Sequence, residues 1–198
     1  MHELKAASQN VILWVASMAF ALILLTSARL AFGEEKTVHP IAGVPVAAKS
    51  ISVDFKANAT GQLGDDVAIP GSGCKATAEL TQASSKLSGK ITVDLMSCTT
   101  GPKEEKRDGH MKEDFKTAGA ATAVCTIKDF PMKGAGSFNC EPMTIGKASV
   151  TQAFSYQWAG SALEAKIDTK LSTFNIPRRT FLNAKMQDPV TVSVKLAL

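Results

Sequence analysis

AFSYQWAGSALEAKIDTKL, residues 153–171, alternates twice with a break between. Phe154, Tyr156 and Trp158 fall on one side of an extended chain, and Ser155 and Gln157 on the other. After the small residues Ala159–Gly160–Ser161–Ala162 the pattern resumes: Leu163, Ala165, Ile167 and Leu171 against Glu164, Lys166, Asp168 and Lys170. Period-two alternation marks strands with one wet and one dry face. A hairpin about Gly160–Ser161 sets Trp158 opposite Leu163, Tyr156 opposite Ala165 and Phe154 opposite Ile167, so that both dry faces coincide.

Working outward, the same alternation recurs. Ile51, Val53, Phe55 and Ala57 form a first strand, and Val190, Val192, Val194, Leu196 and Leu198 a last one. Others are expected near 74–82, 89–97, 121–129, 136–141 and 143–147, with the quoted pair spanning about 149–158 and 162–172. Residues 58–73 hold five glycines or prolines and read as a loop. The best helical segment is Arg107–Ala118, with Asp108 as its N-cap. Eight or so one-sided strands with short connections predict an all-β protein, an antiparallel sandwich or closed barrel. Eight strands, once closed, leave either a filled interior or room for one ligand.

The N-terminus is of another kind. Val11–Ala28 is an 18-residue run without a charge, followed by small residues at Ala31 and Gly33 and then Glu34-Glu35-Lys36. Residues 1–33 thus read as an export signal cleaved before Glu34, with an uncleaved membrane anchor through 11–28 as the rival. Residues 34–48 form an irregular lead-in, and 49–198 one domain long enough to enclose a core. Setting aside Lys5, Arg29 and Glu3 leaves 20 basic and 17 acidic residues, net +3 and dispersed. No basic stripe interleaved with aromatics is present, which argues against a nucleic-acid partner. Four cysteines behind an export signal favour disulfides, and their spacing contains no CxxC to support zinc. Cys125 and Cys140 flank a turn at Pro131–Gly134 and face one another directly, with Ile127 facing Phe138. Cys74 and Cys98 bracket another turn, but the even-numbered Cys74, Ala78 and Leu80 oppose the odd-numbered Ile91, Val93 and Leu95. That pair therefore requires a bulge or a shifted turn.

The most distinctive polar segment is Lys106-Arg107-Asp108-Gly109-His110-Met111-Lys112-Glu113-Asp114-Phe115. It resembles the R-D-x-H-L…D-F signature of the YceI-like family. Met143–Val150, MTIGKASV, is similar to that family's L-T-I-x-G-V-T hairpin, and Lys170–Ile176, KLSTFNI, to its late D-F-G-I/N-I strand. The resemblance covers roughly 49–198. Lys116 stands where a second aromatic is usual, Gly119–Thr122 replaces Tyr-Pro, and four cysteines are uncommon there. The resemblance implies an extended lipocalin-like antiparallel barrel of eight strands in an exported bacterial, periplasmic protein. It further implies a pore that holds a long-chain lipid: a polyisoprenoid, a quinone-like molecule or a fatty amide.

The candidate ligand contacts are Phe154, Tyr156, Trp158, Leu163 and Ile167 of the hairpin, Phe55, Val93 and Leu95 of earlier strands, and His110, Met111 and Phe115 of the polar segment. His110 with Asp108 and Asp114 has the residue types for acid–base work. No serine or cysteine nucleophile accompanies them at motif spacing, so a pore-mouth position is expected and no enzyme. His39 is too distant in sequence to join them. Arg107 is expected to pair with Glu104 or Glu105 in preference to a lipid headgroup. No cofactor is expected beyond a bound isoprenoid or other lipid, no metal is expected, and monomer and homodimer are both open. The competing reading is a barrel filled by its own side chains, anchored through 11–28 as an interaction subunit of an envelope complex.

Overall fold

The computed structural model describes residues 43–61, 63–181 and 184–198. The proposed leader, 1–33, and His39 lie outside the described residues. Within them, the strands are β1 (Val44–Val46), β2 (Ser50–Thr60), β3 (Asp66–Ala83), β4 (Lys86–Asp94), β5 (Thr122–Pro131), β6 (Ala135–Ile145), β7 (Ala148–Ala159), β8 (Ala162–Lys170), β9 (Thr180–Phe181) and β10 (Ala184–Ala197). One helix, α1 (Glu105–Thr117), joins β4 to β5. β3, β2, β10, β8, β7, β6, β5 and β4 pair in that order, and β4 returns to β3. Eight antiparallel strands therefore close on themselves, as expected, and closure removes the sheet's free edges. β1, inside the stretch read as irregular, pairs Val44–Val46 with Leu80–Gln82 of β3.

The hairpin of β7 and β8 turns at Gly160–Ser161, with Trp158 paired to Leu163 and Tyr156 to Ala165. β10 lies between β8 and β2, pairing Val192 with both Ile167 and Phe55 and Val194 with both Ala165 and Val53. These apolar sets all face inward, as period two requires.

Several boundaries differ from the sequence reading, each for a local reason. Residues 66–73, read as loop, belong to β3, where Val67 pairs Ala59 and Ile69 pairs Ala57. The glycine that obscured this strand is required by packing: a Cβ on Gly71 would lie 1.9 Å from the Phe55 ring above it. The two short strands expected at 136–141 and 143–147 are one, β6 (Ala135–Ile145), with a register shift between Cys140 and Met143. β4 stops at Asp94, whose carboxylate accepts from Met96 N at 2.9 Å and starts a 3₁₀ turn over Leu95–Ser97. α1 starts two residues before the expected Arg107, and Asp108 is not its cap. Glu104 holds that position without a side-chain bond, while Asp108 lies inside the helix, its N–H bonded to Glu104 O and its carboxylate to Thr100.

Both disulfides, Cys74–Cys98 and Cys125–Cys140, are present. Their geometry corrects the reading in two ways. Across β5 and β6, Cys125 pairs with Met143, and Cys140 is brought inward only because Glu141 and Pro142 bulge outward. In the β3–β4 hairpin, Ala76 pairs Val93 and Ala78 pairs Ile91, so even and odd positions properly share a face across a two-residue turn. Parity is no obstacle there. The 3₁₀ turn after β4, with no bulge, carries Cys98 to Cys74. Two disulfides fit an oxidising compartment.

Candidate functional site: a barrel cavity with one closed and one polar end

The inward faces of the strands leave a cavity of about 620 Å³, within the range of about 300–1,000 Å³ usual for small-molecule pockets. Its wall is aliphatic and aromatic along most of its length, with Val53, Ile69, Ile91, Ile127, Val192 and Val194 among the contributors. Both disulfides also reach it. No buried side-chain nitrogen or oxygen among the described residues lacks a hydrogen-bond partner. The interior therefore makes no demand for a polar guest.

Nine of the eleven sequence candidates line this space: Phe55, Val93, Leu95, His110, Met111, Phe115, Phe154, Leu163 and Ile167. Tyr156 and Trp158 do not. They face inward on β7 but pack behind Phe130, whose ring centroid lies 4.8 Å from Tyr156, 5.0 Å from Phe138, 5.7 Å from Phe154 and 6.1 Å from Trp158. Two of these pairs are edge-on, an arrangement that ring quadrupoles favour, and the other two are tilted. Trp158 Nε1 donates to the Pro131 carbonyl at 2.8 Å, so the indole N–H of this half-buried ring is satisfied. Leu87 and Leu196 complete this layer.

Phe130 is the residue that alternation misses. Ile127 faces inward, so period two would turn Phe130 to solvent. Asp129 adopts a left-handed φ of 57°, leaving Lys128 and Asp129 both outside and restoring Phe130 to the interior. An aspartate directly before an aromatic at a strand end was the available hint.

At the opposite end α1 contributes Lys106, Arg107, His110, Met111, Asp114 and Phe115 to the cavity rim. Phe115 is the helix's one buried residue. Polar contacts hold the rest. Buried Thr100 donates from N and Oγ1 to Asp108 at 2.7 and 2.6 Å, and accepts from Arg107 Nε at 2.7 Å and Nη2 at 2.5 Å. Arg107 also lies 3.6 Å from Glu104, the ion pair expected for it. Across the rim, Arg179 reaches α1 from the segment before β9. It bonds the Asp114 carboxylate, pairs with Glu113 at 2.9 Å and lies 3.4 Å from His110 Nδ1. The hydrogen bond that Arg179 donates to Asp114, with Glu113 beside it, holds the guanidinium still more firmly protonated. Nothing in the sequence announced Arg179, since its partners stand 65 and more residues away. Among the described residues, no cluster of histidine, cysteine or carboxylate side chains has the makings of a metal site.

A barrel of this geometry occurs in known proteins. BcnA of Burkholderia cenocepacia superposes with a TM-score of 0.50 over 75% of this chain and 96% of its own, at 19% identity. The chain has a YceI-like fold. A YceI protein of Campylobacter jejuni aligns over 66% of this chain and 85% of its own, at 16% identity and a TM-score of 0.48. No protein-family model and no curated protein matches the sequence. At such identities the likeness speaks for the fold alone.

Proposed function

We propose that the protein is an exported bacterial binding protein that holds one long apolar chain inside its barrel, for carriage or storage in the periplasm and without turnover. The observation that carries this reading is the cavity itself: about 620 Å³ enclosed by apolar side chains, with the polar groups gathered at one end. Enclosing about ten methylenes at ~0.8 kcal/mol each gives on the order of 8 kcal/mol. That corresponds to micromolar affinity before immobilisation losses. The YceI-like resemblance adds the ligand classes: polyisoprenoid, quinone-like molecule or fatty amide. His110 sits on the rim beside Arg179 and Glu113, where a ligand's polar head would emerge. Native mass spectrometry of protein purified from its host tests the reading. A hydrophobic passenger in one-to-one ratio is the expected result. Bare protein that also takes up no fluorescent polyene fatty acid would overturn it.

A further inference from the structure

We infer that the aromatic layer at the closed end acts as a length gauge, and that the ligand is a single-chain amphiphile lying with its tail against Phe130 and its head at α1. The inference rests on the carrier reading and sharpens it to a chemical class. Along β7 the cavity touches Phe154 but neither Tyr156 nor Trp158, the next two inward residues. The space therefore ends at Phe130, Phe154 and Leu163. Behind that floor the rings of Phe138, Tyr156 and Trp158 are packed against Phe130, and Phe130 itself is 1% exposed.

A tail cannot push this floor aside cheaply. Moving Trp158 would break the Nε1 bond its half-buried indole makes to Pro131, and its backbone N–H is tied to Gly134 O at 2.9 Å as well. The other end differs in chemistry: Lys106, Arg107, His110, Asp114 and Arg179 meet there at the rim. An amphiphile with its head at the closed end would bury polar groups against Phe130, Phe154 and Leu163, whose side chains offer no hydrogen-bond partner. Tail-first occupancy follows. The volume of about 620 Å³, at about 30 Å³ per water-sized unit, holds on the order of 20 heavy atoms. That suits one chain of moderate length better than a two-tailed lipid held whole.

The test is a binding series of N-alkyl amides, from chains half that length to chains twice it, measured on the delipidated full domain. Affinity should rise about fourfold per added methylene up to a limiting length, then level off or fall. Phe130→Leu should move the limit to longer chains. Ala165→Phe, which adds a ring to the cavity wall at the position paired with Tyr156, should move it to shorter ones. The two variants act in opposite directions, so one that fails to fold leaves the other decisive. Binding with no limiting length, or a limit that neither substitution moves, overturns the gauge and leaves the carrier reading intact. Failure of every chain to bind the wild-type protein sinks the carrier reading, and the gauge with it.

Discussion

At one end of the barrel Phe130 meets four aromatic rings within 6.1 Å, and those rings carry just two polar atoms, the Tyr156 hydroxyl and the indole N–H of Trp158. At the other, α1 buries one side chain, and its remaining attachment is made by Thr100, Asp108, Arg107, Asp114 and Arg179. The first end is held by non-directional burial, the second chiefly by directed bonds among groups that range from buried Thr100 to the half-exposed Arg107 and Arg179. Burial of a large ring is worth several kcal/mol, whereas an exposed ion pair is worth ~1 kcal/mol or less. The closed end is accordingly the stable floor, and the rim is where the structure opens at least cost.

The largest expected effect is at the floor. Phe130→Ala should lower stability by about 3–5 kcal/mol in a denaturant titration. A loss below ~1 kcal/mol would mean that the ring layer is not the keystone of that end. Next come the disulfides. Replacing Cys125 and Cys140 together by alanine should cost about 2–5 kcal/mol, read as a drop in melting temperature. Replacing Cys74 and Cys98 should cost a similar amount and, in addition, loosen the segment that carries Thr100, seen as faster amide exchange in α1. Equal protection of α1 in both double variants would break the link drawn between that disulfide and the rim.

Smaller effects belong to the rim. Thr100→Val removes the hydroxyl that serves both Arg107 and Asp108, and should cost about 1–3 kcal/mol because the remaining groups are left partly unpaired. The smallest is electrostatic. Asp188 accepts from Ser172 N and Oγ at 2.8 and 2.6 Å, which holds its carboxyl below the usual range. A lowered folded-state pKa stabilises above the unfolded value of about 3.9 and is lost as pH falls below it. The stability difference between wild type and Asp188→Asn should therefore be constant from neutral pH down to about 5, begin to shrink near 4 and vanish as pH falls on through the lowered folded-state value. A difference that persists at acid pH would show that the carboxylate charge is not its source.

The same contrast explains what could be read from the chain. The β7–β8 hairpin was legible to its paired residues, because alternation and a Gly-Ser turn are local signals. Both disulfides were legible as pairs, though not their registers, since the bulge at Glu141–Pro142 and the 3₁₀ turn at Leu95–Ser97 are set by neighbouring strands. Residues 66–73 were hidden because Gly71 serves a ring, Phe55, that lies on another strand. Of the site, the apolar wall and the contribution of residues 106–115 to the rim were visible, and the bonds that tie the rim together were not. Arg179 meets Asp114 only after the barrel has closed, and Thr100 carries no motif at all. Phe130 was obscured by one left-handed residue, Asp129, that shifts the alternation by a position.

The most direct test of a tail-in pocket with one blind end is crystallographic. A crystal of the delipidated protein soaked with an alkyl amide brominated at its terminal carbon should show a single anomalous peak between Phe130 and Phe154, with the amide near α1. A peak beside His110 and Arg179, one on the outer face of the sheet, or none inside the barrel would contradict the account.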